Sequence, residues 1–270
     1  MSVTYAAAKA AKSGYYGPTA SEYSDTRIEA VVVCLDYADF LEQTLPHNLP
    51  HVDRLVVVTG REDKATKAIC EKWSVECVAT DAFTEKGDIF NKGHAINMAM
   101  SALRQRGWIL HLDADIVLPL QFRNMLDKSA LKPDCLYGAE RVNVVGWHRW
   151  EHLRKDFFEK PQFSYRYMMS TPADLPIGAN VIHKQYGYAP IGYFQLWHSR
   201  FMHENDLRYP DTEGSAEHAD MQWALRWPRG NRLLLPTVRV FHLESEKADM
   251  GVNWGGRRTK PFQPPRPPSK

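Results

Sequence analysis

Three continuous apolar runs, rich in β-branched residues, constrain this chain more than any other feature: residues 30–35 (AVVVCL), Arg54–Gly60 (RLVVVTG) and residues 108–112 (WILHL). A strand with one wet face alternates apolar and polar residues. A continuous run needs cover on both faces, which a parallel sheet sandwiched between helices supplies. The intervening stretches have helical spacing. DYADFLEQTL places Phe40, Leu41, Thr44 and Leu45 on one side, with Pro46 expected to stop or kink the helix. EDKATKAICEKWS predicts a helix with Ala65, Ala68, Ile69 and Trp73 inward, followed by a third short strand, VECVATD. In NKGHAINMAMSALRQRG, Ile96, Ala99, Met100 and Leu103 recur at 3.6-residue spacing, and Gly107 is expected to close the helix. Strands alternating with helices predict a parallel, right-handed α/β unit.

Ligands in such sheets bind at the carboxyl ends of the strands. The residues there are Asp36, Thr59 to Asp63, Asp81, and Asp113 to Asp115, and every one of these places carries a carboxylate. The Asp-Ala-Asp of HLDADIVLP is the most informative. Carboxylates at i and i+2, where a strand breaks into a loop, can address one hard cation such as Mg²⁺ or Mn²⁺ while leaving sites for phosphate and water. By itself the triplet also fits a solvated acidic turn. Further on, RLLLPTVRVFHLE predicts a strand that ends near His242, whose imidazole could join the carboxylates around Mn²⁺. SAEHADMQWALRWP predicts a helix with Met221, Ala224 and Leu225 apolar. Asp220 stands early in it, where the helix dipole favours an ionised carboxylate suited to general-base work, and Glu217 lies three residues before. Charge complementation of a helix start is the alternative role for both.

Taken together, these segments resemble the GT-A glycosyltransferases, and within them glycosyltransferase family 2. AVVVCLDYADFLEQTL is similar to the first strand and helix, VVVTGREDKAT to the second strand and its acidic loop, FNKGHAIN to the Lys-Gly-x-x-x-Asn helix start, and HLDADIVLP to the Asp-x-Asp strand. IGYFQLWHS resembles the acceptor-side strand. The resemblance covers residues 28–245 and implies a GT-A (Rossmann-like) fold, with a mixed, mainly parallel central sheet flanked by helices and an irregular acceptor-side region. It implies a metal-dependent, inverting transfer of a sugar from a nucleotide-sugar, UDP being the commonest choice, to an acceptor hydroxyl. Asp115 would coordinate the metal, Asp113 would contact ribose or a metal water as a shared ligand, and His242 would be the third protein ligand. Cys34, Asp36, Thr59, Asp63, Lys92 and Ala114 would line the donor site, and Asp220 would be the base, with Glu217 the alternative. The chain departs from the family pattern in three places. The first strand ends Cys-Leu-Asp rather than Pro-x-Tyr or Pro-x-Asn, the acidic pair before the last helix is stretched to Glu-His-Ala-Asp, and no Gln-x-x-Arg-Trp motif appears. A nucleotidyltransferase would carry a Gly-rich loop after the first strand, which LDYADF lacks; a non-catalytic sugar- or nucleic-acid-binding module is the other rival.

The chain has 270 residues and a net charge of +2, so one large domain is expected and no global field recruits nucleic acid or membrane. Residues 1–27 are expected to be an arm, 28–250 a single transferase domain (donor half 28–119, acceptor half 120–250), and 251–270 a basic, Pro-rich tail. In that tail Arg257 and Arg258 follow a Gly-Gly turn, where they could clamp a diphosphate bidentately or simply be solvated. No run reaches 18 uncharged apolar residues and the start has no apolar signal core, so a soluble cytoplasmic protein is expected. Cys34, Cys70, Cys77 and Cys135 form no CxxC and are expected to be free thiols. The acceptor is the least legible part. The interleaved aromatic and basic residues between Trp147 and Tyr167 suit stacking on bases or sugars, so a hydroxymethylated pyrimidine in viral DNA is one expectation, and a glycan, a small metabolite or a protein side chain are others. The oligomeric state is left open.

Overall fold

The computed structural model describes residues 26–85, 87, 89–155, 182, 183, 185–211, 216–246, 253 and 255–265, the side chains of residues 182, 183 and 217 excepted. The donor half runs β1 (Ile28–Val33), α1 (Ala38–Asn48), β2 (Arg54–Gly60), α2 (Lys64–Lys72), β3 (Glu76–Thr80), α3 (Lys92–Met100) and β4 (Trp108–Asp113). After it come β5 (Ile116–Val117), α4 (Phe122–Lys128), β6 (Leu136–Val145), α5 (Trp147–Leu153) and the two-residue strands β7 (Ile182–His183) and β8 (Gly187–Tyr188). The chain closes with β9 (Phe194–His198), α6 (Ser199–Glu204), α7 (Ala219–Ala224) and β10 (Arg232–Glu244).

Eight strands form one sheet in the order β3-β2-β1-β4-β9-β6-β10-β5. The expected mixed, mainly parallel α/β sheet is present. β1 pairs in parallel with β2 and β4, β2 with β3, and β6 with β10; β9 and the short β5 run antiparallel to their neighbours. Because β9 is antiparallel to both β4 and β6, the strands β1, β2, β4, β6 and β10 share one direction, and their carboxyl ends lie along one edge. Helices cover both faces, as the continuous apolar runs demand. Leu41 and Leu45 of α1 and Phe122 of α4 pack with Ala30, Val32 and Leu110 on one face, while Ile96 and Ala99 of α3 and Trp223 of α7 pack with Val31, Val56 and Ile109 on the other.

Four local expectations are corrected. α1 continues through Pro46 to Asn48, because Leu41, Leu45 and Asn48 are buried on its inner face and outweigh the one backbone hydrogen bond that proline removes. In α2 the inward residues are Thr66 and Cys70, with Ile69 and Trp73 half-buried, and Ala65 and Ala68 are exposed. The Asp63 carboxylate caps the amide of Thr66 and so fixes the rotation of that helix. α3 stops at Met100 rather than near Gly107, since the carboxylate of Glu29 captures the amides of Arg104 and Gln105 and Gln105 turns left-handed at φ 54°. In α7 Leu225, expected on the apolar face, is exposed beyond the helix end. The four cysteines are free, and all but Cys77 are buried. Among the described residues no helix is long and apolar enough to cross a membrane.

Candidate active site

The carboxyl ends of β1 and β4 open into a cleft of about 140 Å³ whose lining includes Asp36, Lys92, Asp113, Asp115, Asp220 and Arg257. The Asp-Ala-Asp bend is held from below by α1. Thr44 Oγ1 donates to the Ala114 carbonyl at 2.8 Å, while Asn48 donates to the Ile116 carbonyl at 2.7 Å and accepts from the Leu118 amide at 2.8 Å. Both side chains are buried, so the loop after β4 is tied down as firmly as a strand. β5 then pairs with β10, setting Ile116 opposite His242, and Leu243 N–H donates to the Asp115 carbonyl. That pairing brings residues 115 and 242 together.

His242 Nε2 lies 3.4 Å from Asp115 Oδ2, and its Nδ1 lies 3.2 Å from Glu244 Oε1. Burial alone would lower the imidazole pKa. The two carboxylates outweigh burial and raise it to about 9. Asp115 Oδ1 is buried with no hydrogen-bond partner. A buried carboxylate oxygen that accepts no hydrogen bond, beside an imidazole, has the donor chemistry that suits a divalent cation. Among the described residues no three His, Cys, Asp or Glu side chains converge in a ready-made ligand set. Asp115 and His242 form the pair, while Asp113 faces elsewhere.

Asp113 faces Lys92. Asn91 caps α3 through His94 N–H, so Lys92 opens the helix with its side chain directed into the cleft floor. Its Nζ is 2.6 Å from Asp113 Oδ1 and 3.7 Å from Asp220 Oδ1. Burial would favour neutral lysine, but Asp113 and Asp220 raise its pKa and keep it protonated. Burial, with Asp115 and Asp220 adding to it against Lys92, raises Asp113 to about 6. His111 beneath them is driven well below its ordinary value by burial and by Lys92, and is therefore neutral.

Asp220 is oriented from two more sides. Gly192 N–H donates to its Oδ2 at 2.8 Å, and Tyr209 Oη lies 3.1 Å from its Oδ1. A methyl group on Gly192 would fall 2.2 Å from the carboxylate oxygens, so only glycine permits this contact. Tyr209 is itself clamped: Asn97 of α3 donates to its carbonyl and accepts from its amide. Gly93 allows that approach, since a Cβ there would sit 1.7 Å from the Pro210 carbonyl oxygen. The Lys-Gly-x-x-x-Asn spacing thus supplies Lys92 to the carboxylates, and Gly93 and Asn97 to the segment that carries Tyr209.

The other candidates from the sequence divide. Asp36 and Ala114 line the cleft. Cys34, Thr59 and Asp63 do not. The Cys34 thiol is buried against Thr66 Oγ1, and Thr59 and Thr66 hydroxyls donate to Asp63, which also accepts the amide of Asp36. These three residues brace the bend at Asp36, a non-glycine residue at φ 59°, from behind. Glu217 lies in the one-turn helix before α7, and its side chain is outside the described residues. Arg257 pairs bidentately with Asp39 at 2.6 and 2.7 Å and stacks on Tyr37, so its guanidinium holds the cleft wall. Phe262 follows it into the core against Phe40 and Trp147. Of the aromatic-basic segment, residues 156–167 lie outside the described part; within it Trp150 and Leu153 are buried and face the core rather than a ligand. Thr44, Asn48, Gly192, Tyr209 and Glu244 escaped sequence reasoning. Only Glu244, two residues beyond His242 on a strand, gave a local signal. Arg141 also escaped it; it stacks on Tyr193 and shares a face with Asn143, the register partner of His242.

No protein-family model matches this chain, and no curated protein matches it. Solved structures resemble it at low identity. Glucosyl-3-phosphoglycerate synthase from Mycobacterium tuberculosis, in complex with Mn²⁺ and UDP-glucose, aligns with a TM-score of 0.49 and 14% identity over 88% of this chain and 78% of that one. The same enzyme with Mn²⁺, UDP and glucosyl-3-phosphoglycerate aligns with a TM-score of 0.49 and 12% identity over 85% and 75%. At these values the likeness assigns no residue and no activity to this chain.

Proposed function

We propose that this protein is a metal-dependent glycosyltransferase that moves a sugar from a nucleotide-sugar, with UDP as the favoured nucleotide, to an acceptor hydroxyl with inversion. The observation that carries this reading is Asp115, paired with His242 and carrying a buried oxygen that accepts no hydrogen bond, lining the same cleft as the pre-oriented carboxylate of Asp220. Asp115 and His242 would hold a Mn²⁺ or Mg²⁺ ion, with Asp113 shared between ion and donor. When bound, the ion supplies Lewis-acid neutralisation of the diphosphate leaving group.

The rest falls to the chain's own residues. Asp220 accepts the proton of the acceptor hydroxyl as that oxygen attacks the anomeric carbon and the nucleoside diphosphate departs. Gly192 and Tyr209 fix the direction of that carboxylate. Lys92 spans Asp113 and Asp220 and offsets their repulsion, so donor-side and acceptor-side carboxylates can both face the cleft ionised. A hydroxymethylated pyrimidine in DNA is one acceptor class within this proposal. A gel-shift with modified and unmodified duplexes at low salt tests it, and binding to neither removes it.

The test of the transferase itself is UDP release from a panel of UDP-sugars with Mn²⁺ present. Turnover that is abolished by a chelator is expected. Absence of turnover across the panel, with and without candidate hydroxyl acceptors, would contradict the proposal.

A further inference from the structure

A second cleft, of about 300 Å³, opens at the other end of the sheet. Its lining comes from the starts of β1, β2 and β4 and includes four arginines, Arg27, Arg54, Arg104 and Arg106, with two carboxylates, Glu29 and Asp53. The strands β1 and β4 are six residues long, which puts this cleft about 20 Å from the carboxyl-end cleft. It cannot belong to the donor site.

The charges are arranged asymmetrically. Both carboxylates are engaged by backbone amides, Glu29 buried and Asp53 at the surface. Glu29, 6% exposed, accepts the Arg104 amide with one oxygen and the Gln105 amide with the other. Asp53 accepts the Ile28 amide and a guanidinium N–H of Arg123 through one oxygen. Arg54 is held by Glu76. By contrast, among the described residues the guanidiniums of Arg104 and Arg106 make no hydrogen bond or ion pair, and both are exposed.

The loop that presents them is rigid. Leu103 is buried, Gln105 is left-handed with its side chain on the Met100 carbonyl, and the Gly107 carbonyl accepts from Ser199 N–H. A buried carboxylate and a left-handed residue thus fix the backbone from which two unpaired arginine side chains rise at positions i and i+2 on the rim of a concave site. Guanidinium forks favour phosphate oxygens bidentately, and a loop whose backbone is already fixed loses little entropy on binding. The cavity suits a small molecule.

We propose that this cleft is a second binding site, for a small ligand bearing a phosphate or diphosphate, with Arg104 and Arg106 as its principal contacts. It is independent of the transferase reading, since none of its residues belongs to the carboxyl-end cleft.

Calorimetric titration of the full chain with inorganic pyrophosphate, in EDTA so that no metal recruits it to Asp115 and His242, tests the assignment. Saturable binding is expected, weakened at least tenfold in the Arg104→Ala/Arg106→Ala double variant and unchanged in Asp115→Ala. Titrations with orthophosphate and with a sugar phosphate separate free phosphate from a phosphorylated metabolite as the natural source. Circular dichroism checks the fold of the double variant, and Arg106→Gln alone, expected to weaken binding severalfold, serves if the double variant is impaired. No binding of any of the three anions, or equal affinity in wild type and the arginine variants, overturns the proposal. So does retention of duplex DNA at this face without pyrophosphate binding. Loss of pyrophosphate binding in the arginine variants, in a protein that releases no UDP from any donor, would leave this site standing and the transferase reading fallen.

Discussion

His242 is charged in the metal-free protein, and a cation would have to displace that proton. Its pKa stands at about 9, above the ordinary 6.5, because Asp115 and Glu244 outweigh its burial. A raised value in the folded state means the imidazolium stabilises the fold fully below about pH 6.5 and loses that contribution as pH rises through about 9. Metal-free wild type is therefore expected to melt above His242→Ala at about pH 6, with the gap closing by about pH 10. Thermal melts at both values check the sign; a gap that grows with pH would contradict it. Asp220 is the second residue with a single-atom role. Asp220→Asn preserves shape and hydrogen bonding but not basicity, so kcat is expected to fall by about 10²–10⁴-fold with UDP affinity unchanged. Steady-state kinetics beside UDP titration separates the two. At this scale the sequence is legible in placement: Lys92, Asp113, Asp115 and Asp220 line one cleft, and His242 stands beside Asp115. It is less legible at Thr59 and Asp63, which hydrogen-bond to each other and do not line that cleft. Both stand at the carboxyl end of a strand, yet a hydroxyl and a carboxylate there can satisfy each other inward as readily as bind a ligand.

The helix α3 shows what a motif on one element does for another. Gly93 and Asn97 receive the segment from Leu207 to Asp211, which lies 112 positions further along the chain. A local spacing reveals that the helix start is special, but not what docks on it. Gly93→Ala would drive a methyl into the Pro210 carbonyl, and backbone rather than a flexible side chain must move. A loss of about 1–3 kcal/mol in urea unfolding is expected, together with reduced turnover, because Tyr209 is displaced from Asp220. Unchanged stability would mean the segment is not seated on α3. The C-terminal stretch behaves similarly. Its Pro-rich, basic composition predicted a tail, yet Phe262 is 2% exposed and stacked on Phe40 at 4.8 Å. One aromatic among prolines gives no periodic signal, so its burial is invisible until the partner helix is placed. Phe262→Ala is expected to cost about 3 kcal/mol and to lower the urea midpoint, while Lys260→Ala, an exposed change nearby, is expected to leave it unaltered.

At the scale of the whole molecule, the apolar runs announced a doubly covered sheet, and strand-end carboxylates announced which edge to inspect. What they could not announce is the antiparallel insertion of β9 between β4 and β6, which turns β10 to run with β4 and brings His242 to Asp115 across 127 positions of sequence. Register between distant strands is a property of the assembled sheet, not of any window of residues. The same directionality separates two edges with opposite character: one carries the carboxylates and a partnerless buried oxygen, the other carries arginines on a fixed loop. The proposed chemistry belongs to the first of these edges. Its most direct test is calorimetric titration of UDP into the protein with and without Mn²⁺, for wild type and Asp115→Ala. Mn²⁺-dependent UDP binding that disappears in Asp115→Ala is the predicted result. UDP binding of equal strength in both proteins, or binding indifferent to Mn²⁺, would contradict it.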